Sequence, residues 1–449
     1  MSHDPLASPP APVAIDGAER KTLEPFTCLG CGCHCDDLAV TLQGQSAVAV
    51  ERACPLGRDF IFQGSDTAED FPVAVVRGHP VTIEEALEAS LELLAEAQSP
   101  LVLLLLQTAT ETAAAAIELA EKVGAAVEIG LDATPSASAL AYQRGGRVSA
   151  TLGEVKDRAD VVLFWYANPV VTHPRHWERY SVEPRGRFVS GGRQGRRVLV
   201  VGESETETAQ LADRFFRIPR DREMEVIWTL RALVKNCLLD PKQVARTTGC
   251  DLSALSELAG ELVRARYGAW FHGPSERADS LAVAAATLEA TAALVRDLNE
   301  RGRFVLLGMG ETGNRVGLEA ALTWQTGFPA SVDFAAGAPE SIPGVTSARA
   351  RLQRGEVDLV VVVGAFANDR VGSELIAVLG QIPTIWIGPA GAALNRSLTV
   401  HLVAGAIGCE TGGTVFRADG VAIPVRPHRP CRLMTDRSWV EALMRHSAT

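Results

Sequence analysis

The sequence predicts an α/β protein carrying a small cysteine-rich module at its front, on three observations. From about Pro100 onward, short β-branched apolar runs alternate with longer stretches of helical period. Those runs lack inside/outside alternation, as in parallel strands covered on both faces by helices. Four of the nine cysteines fall within the eight residues 28–35, a metal-site distribution rather than a disulfide framework.

In chain order, residues 1–25 read as a flexible Pro- and Ala-rich tail, and residues 26–75 as the cysteine module with short strands near Leu38 to Val40 and Ala47 to Val50. Strands are expected at Leu101 to Leu106, Ala126 to Ile129, Asp160 to Tyr166, Val198 to Val201, Gly268 to Phe271, Phe304 to Leu307, Leu359 to Val363 and Thr384 to Ile387. Helical period marks Glu111 to Val123, Glu223 to Val234, Leu252 to Arg264, Ser280 to Arg301 and Val345 to Arg354. Gly- and Arg-rich residues Pro184 to Arg197, and the loop Ala335 to Gly344, interrupt the alternation.

Composition removes several function classes. With 449 residues, 47% hydrophobic and 22% charged, the chain has the makings of a large core and is neither disordered nor a coiled coil. A net charge of −11 argues against a nucleic-acid binder that works by neutralising phosphates. The longest apolar run, Leu101 to Leu106, is far too short to span a membrane. The first residues show no apolar targeting segment, so a cytoplasmic protein is expected.

Cys28, Cys31 and Cys35 follow C-x2-C-x3-C, and Cys54 follows after 18 intervening residues in Ala53-Cys54-Pro55. Four thiolates from one short loop and one return segment suit a 4Fe-4S cluster, in which each iron takes one cysteine. A four-cysteine zinc site is the nearest rival, although such sites more often show two C-x2-C pairs; an empty, vestigial site is the third reading. Cys33 and His34 are read as loop residues, with Cys33 able to replace Cys35. Cys237, Cys250, Cys409 and Cys431 are isolated and read as small buried hydrophobes. Gly308, Gly310 and Gly313 match G-x-G-x-x-G after a strand, with Asp333 about 20 residues on, a weak signal for a nicotinamide dinucleotide.

Five segments in order resemble the molybdopterin oxidoreductases, and specifically the B subunits of formylmethanofuran dehydrogenase. They are Cys28-Leu-Gly-Cys31-Gly-Cys-His-Cys35-Asp-Asp37; Thr151-Leu-Gly-Glu154 leading to Ala167-Asn168-Pro169 and His173-Pro174-Arg175-His176; Thr206-x-Thr208-Ala209 with Ala212-Asp213; Leu322-Thr-Trp324-Gln325-Thr-Gly327-Phe-Pro329 with Asp333; and Gly413-Thr414-x-Phe416-Arg417-x-Asp419-Gly420. The resemblance implies a molybdopterin-oxidoreductase-like fold, with the cysteine module followed by two lobes. Residues 76–145 plus 330–430 would form the first lobe and 146–329 the second. It further implies a molybdenum or tungsten bis-pterin between the lobes, with Asn168, Pro169, Thr206 and Thr208 among its contacts, and a cluster on Cys28, Cys31, Cys35 and Cys54.

Three departures from the family pattern bear on activity. Where the redox subunit has its metal-ligating cysteine, this chain has Thr134, and no cysteine occurs between Cys54 and Cys237. A hydroxyl is a poor substitute for a soft thiolate. The Asp-x-Arg-x-Thr-x-Thr-Ala pattern reads Gly202-Glu203-Ser204-Glu205-Thr206-Glu207-Thr208-Ala209, and the usual Ser-Asp-Pro is replaced within Gly364-Ala-Phe-Ala-Asn-Asp369. His173, Arg175, His176 and Arg179 remain, either as a cationic rim to a channel or as a structural loop. The resemblance implies a non-redox B subunit of a formyltransferase/hydrolase complex in one-carbon (formaldehyde to formate) metabolism of the methylotrophic kind. It would be assembled with A-, C- and D-type subunits and served by a methanofuran-like carrier. The alternative is a working formylmethanofuran (formate) dehydrogenase subunit.

Overall fold

The computed structural model describes residues 20–62, 71–130, 134–273, 281–310, 312–365, 379–390 and 398–447. The chain opens with an antiparallel meander of β1 (Arg20–Phe26), β2 (Leu38–Gln43) and β3 (Ser46–Glu51), followed by the helix Pro55–Phe62. It then lays down β4 (Ala74–Val76), β5 (His79–Val81), β6 (Pro100–Leu104) and β7 (Ala126–Ile129). There it leaves to build β8 (Val161–Trp165), β9 (Arg197–Gly202), β10 (Arg214–Arg217), β11 (Tyr267–His272) and β12 (Arg303–Gly308). On its return it completes the earlier sheet with β13 (Val332–Asp333), β14 (Leu359–Val363), β15 (Thr384–Gly388) and β16 (Val400–Val403). A hairpin of β17 (Gly413–Phe416) and β18 (Ala422–Val425) and the helix Asp436–His446 finish the described chain.

The five-stranded sheet is all parallel, in the order β10-β9-β8-β11-β12. The chain therefore reverses direction across the sheet between β8 and β11, and the crevice outside their carboxyl ends is where open α/β sheets take ligands. The eight-stranded sheet has a parallel centre, β7-β6-β14-β15-β16, and its switch point falls between β6 and β14. Central strands β6, β8, β14 and β15 are buried along their whole length, which is why their sequences run apolar without alternation. Short helices with local caps link them. The helix Ile83–Glu96, for example, starts on a capping box in which Glu85 N–H donates to Thr82 Oγ1 at 3.2 Å and Thr82 N–H to Glu85 at 2.9 Å.

The five-stranded sheet buries Val161, Leu163 and Trp270 against the helices Glu223–Val234 and Leu252–Val263. Its other face, through Val162, Phe164 and Phe271, shares one core with Cys28, Leu29 and Leu38 of the cysteine module and Val415 and Ile423 of the hairpin. Residues 413–425, expected in the first lobe, thus pack against the cysteine module, and Thr27 Oγ1 donates to the Pro424 carbonyl at 2.9 Å. Part of the expected tail is strand β1, whose mostly exposed, polar residues give no apolar signal. The helix Asp436–His446 lies past the expected last lobe boundary and buries Trp439, Val440 and Leu443 against the eight-stranded sheet.

Candidate functional site

Cys28, Cys31 and Cys35 sit on the loop from β1 to β2, and Cys54 precedes the helix Pro55–Phe62; all four line one cavity, together with His34 and Arg175. The loop is closed by the Cys28 amide, which donates to the Cys35 carbonyl at 2.9 Å, and Gly30 N–H points at Cys28 Sγ at 3.3 Å. Two glycines let the two cysteine segments meet. A Cβ on Gly30 would lie 2.6 Å from the Leu56 carbonyl oxygen, and one on Gly57 would lie 3.2 Å from Cys28 Sγ and 3.8 Å from Cys54 Sγ. Burial, reinforced by the other thiols, pushes the Cys28 and Cys54 thiols up and Cys35 to about 11. Cys33 is buried but does not line the cavity, and its hydrogen bond to Cys31 lowers the Cys31 thiol. Among the described residues no three Cys, His, Asp or Glu side chains converge as ligands of a single metal ion. Thiolates around a cubane each serve a different iron, so they converge less closely than ligands of one ion. The donor set of soft sulfur around one buried cavity fits a cluster.

His34 had no assigned role in the sequence. It has a positive φ of 35°, is fully buried, lines the same cavity, and neither ring nitrogen makes an aligned hydrogen bond among the described residues, although the Gly313 backbone lies beside it. Burial lowers its pKa to about 4, so the ring is neutral.

The two acids after Cys35 clasp the segment beyond β8. Arg175 donates to both Asp37 carboxylate oxygens, at 2.6 and 2.8 Å, and to Glu178 at 2.7 Å; Arg179 donates to Asp36 at 2.7 Å. The guanidinium of Arg175 holds the Asp37 carboxyl below the usual range despite its partial burial. Arg175 thus faces the cysteine cavity, and Arg175, His173 and His176 are not residues of the large crevice described next. His173 and His176 are interior: His176 Nδ1 meets Ser181 Oγ at 3.0 Å, and its ring stands edge-on to Phe271 at 4.5 Å. Burial lowers them to about 4 and about 3, so they add no positive charge, and the cationic-rim expectation gives way to a packed structural loop.

Beyond the carboxyl ends of β11 and β12 lies a cavity of about 530 Å³, bordered by Tyr142, Arg147, His272, Gly310, Arg315 and Ala418. On the other side of His272 is a smaller one of about 190 Å³. His272 Nε2 stands 3.2 Å from Glu223, which also accepts from Trp165 Nε1 at 2.7 Å, and His272 Nδ1 stands 2.7 Å from the Gly273 carbonyl. Burial opposes the Glu223 charge, but His272 and Arg220 outweigh it and hold the carboxyl below its ordinary range. This pair was not legible, because its members are 49 residues apart.

Of the four residues expected against a pterin dinucleotide, Asn168 and Thr208 bond each other. Asn168 Oδ1 accepts from Thr208 Oγ1 at 2.7 Å and Thr208 N–H at 3.2 Å, and Asn168 Nδ2 donates to Glu207 at 2.8 Å. Thr206 caps the short helix Glu207–Leu211, and Pro169 starts another. The side chains of Asn168 and Thr208 are thus engaged with each other and with Glu207. The G-x-G-x-x-G reading also gives way. A Cβ on Gly313 would lie 2.6 Å from the Leu106 carbonyl oxygen, so that glycine serves close packing, and Asp333 belongs to the other sheet and pairs with Arg351. Thr134 begins the helix Thr134–Gly145; its side chain, Glu311 and residues 366–369 lie outside the described residues. Cys250 and Cys409 are buried as expected, Cys431 is half-buried, and Cys237 is exposed.

No family model matches the chain. The B subunit of the tungsten-containing formylmethanofuran dehydrogenase 2 of Methanocaldococcus jannaschii is 31% identical over 95% of this chain and 98% of its own length. The chain belongs to the formylmethanofuran dehydrogenase B-subunit family. The B subunit of the same-named enzyme of Methanococcus maripaludis is 32% identical over 89% of the chain and 92% of its own length. The B subunit of the formyltransferase/hydrolase complex Fhc of Methylorubrum extorquens is 27% identical over 76% of the chain and 88% of its own length. Among solved structures, a chain of the formyltransferase/hydrolase complex FhcABCD from Methylorubrum extorquens, in complex with methylofuran, superposes with a TM-score of 0.69 at 25% identity, covering 83% of this chain and 98% of that one. Acetylene hydratase from Pelobacter acetylenicus shares the fold at TM-score 0.60 and 12% identity, over 93% of this chain and 68% of that one. As in those relatives, the fold of this B-subunit family member is mixed α/β with largely parallel sheets. Among the described residues no helix is long and apolar enough to cross a membrane.

Proposed function

We propose that this chain is a non-redox B subunit of a formyltransferase/hydrolase complex. It would act as a scaffold for A-, C- and D-type partners that carry formyl groups on a methanofuran-like carrier and release formate. The observation that carries this reading is the closed Asn168–Thr208–Glu207 knot, which uses up polar groups that a pterin dinucleotide would need. The absence of any cysteine between Cys54 and Cys237 removes the soft ligand a molybdenum or tungsten centre would take from that stretch. The structural relative captured as a four-subunit complex with methylofuran supports the partners and the class of carrier.

In this reading the cysteine module holds a 4Fe-4S cluster on Cys28, Cys31, Cys35 and Cys54. Its work is to knit together a segment too small to build a core of its own. When bound, the cluster supplies four metal–thiolate bonds; the chain's own residues supply the cavity, the glycine contacts and the clasp. A working redox subunit is the second reading, favoured by the higher identity to the tungsten-containing relatives. The test is to purify the native complex through a tag on this chain and assay formate release from a formylated carrier. Release at full rate with no electron acceptor, and no formate-dependent dye reduction, is expected. Formate-dependent dye reduction by the complex would overturn the reading.

A further inference from the structure

Arg179 is ion-paired with Asp36 through Nη2 at 2.7 Å and with Asp37, 3.2 Å from Nη1, yet Nη1 is buried and makes no aligned hydrogen bond among the described residues. The Cys35 sulfur lies beside the same guanidinium as a further acceptor. Arg175 is placed in the same way: its side chain is 11% exposed, its acids Asp37 and Glu178 are 32% and 53% exposed, and it lines the cysteine cavity. Both pairs therefore turn their positive ends inward and their carboxylates outward. A lone ion pair on a protein surface gains nothing from that orientation, whereas a buried anionic group at the cavity does. A 4Fe-4S core with four thiolates carries net negative charge, and its reduction adds another electron.

We infer that Arg175 and Arg179 are positioning residues for the cluster: Arg179 donates an N–H to the Cys35 thiolate, and the two guanidiniums together stabilise the reduced cluster and raise its midpoint potential. The inference rests on the proposed cluster. It gives the Cys35-Asp36-Asp37 sequence a purpose, because the two acids next to a cluster ligand are what aim two cations from a distant segment at that ligand. It also makes the cluster a joint between the cysteine module and the strand-end segment 168–181. Hydrogen bonds to sulfur and local charge are among the main determinants of cluster potential.

The experiment is an anaerobic redox titration, followed by electron paramagnetic resonance, of the purified complex with this chain as wild type, R179Q, R179K and R175Q/R179Q. Arg158→Gln, at a surface site away from the cavity, serves as control. Iron is expected to stay at its wild-type level in all. The potential should fall in R179Q enough to change the oxidised-to-reduced ratio about tenfold at fixed poise, which is about 59 mV for one electron. It should fall further in the double variant, less in R179K and not in the control. An unchanged potential with iron intact overturns the inference while leaving the cluster standing. Wild-type complex without iron overturns the cluster reading itself. Should the variants lose iron, resonance Raman of the wild type decides: an Fe–S(Cys) band that shifts in deuterated water supports the N–H···S contact, and an unshifted one overturns it.

Discussion

The cysteine cavity and the strand-end segment around Asn168 belong to one core, yet they treat their polar groups in opposite ways. Around the cavity, Cys28, Cys31 and Cys35 are buried, and both nitrogens of His34 and Nη1 of Arg179 make no aligned hydrogen bond among the described residues. At Asn168 every donor and acceptor named above is closed on Thr208 or Glu207. Buried polar groups left unmatched are costly and uncommon, so a cluster of them marks a place built around something else. A self-satisfied knot marks a place that is complete as it stands. That contrast is what the proposed cluster at the cysteines and the proposed loss of the pterin anchors rest on.

The largest expected effect breaks the open side of the contrast. Cys31→Ser removes one thiolate, and iron should leave with it. Hydrogen exchange should rise through the residues before Pro72, and stability should fall by about 4 kcal/mol or more, as for loss of a structural metal. Unchanged melting and partner assembly would contradict this. Next comes Asp419→Asn. Asp419 is buried, pairs with both Arg417 Nε and Nη2 at 2.8 and 2.7 Å, and accepts from Leu152 N–H at 2.6 Å. Leaving Arg417 uncompensated should cost about 3–5 kcal/mol in denaturant unfolding. A smaller effect sharpens the closed side. Asn168→Ala should cost only about 1–2 kcal/mol, and the molybdenum and tungsten content should stay where it was, near zero. A loss of bound molybdenum in this variant would reveal the knot as a working anchor.

The fold class was legible because the central strands are buried on both faces and so advertise themselves as unbroken apolar runs. Where a strand is exposed, as β1 is, or only three residues long, as β4 is, burial imposes no pattern and nothing could be read. The cysteines were legible from spacing alone. Their helpers were not. Arg175 and Arg179 meet Asp36 and Asp37 across about 140 residues, and His34 takes its meaning from a cavity it lines rather than from any neighbour in sequence. Proximity to His173 and His176 suggested one cationic rim, but burial separates the four residues into two neutral interior rings and two guanidiniums paired with Asp36 and Asp37, of which Arg175 lines the cysteine cavity.

The smallest effect follows from that separation. The unfolded imidazoles titrate near pH 6.5, while His173 and His176 in the fold titrate at about 4 and about 3. Unfolded chain therefore binds more protons in this window. The stability these two groups confer is full above pH 6.5 and is lost as pH falls toward their folded values, with each group adding a slope of up to about 1.4 kcal/mol per pH unit. Denaturant unfolding from pH 7 to 4.5 should be flatter in His173→Gln than in wild type, and equal slopes would show that this ring takes up its proton in the fold as it does in the unfolded chain.

The most direct test of the central contrast is elemental analysis for iron, zinc, molybdenum and tungsten on the anaerobically purified native complex, scaled to this chain. About four iron per chain are expected, as one cubane on four cysteines requires, with no molybdenum or tungsten. Stoichiometric molybdenum or tungsten would contradict the closed pterin anchors and make this chain a working oxidoreductase subunit.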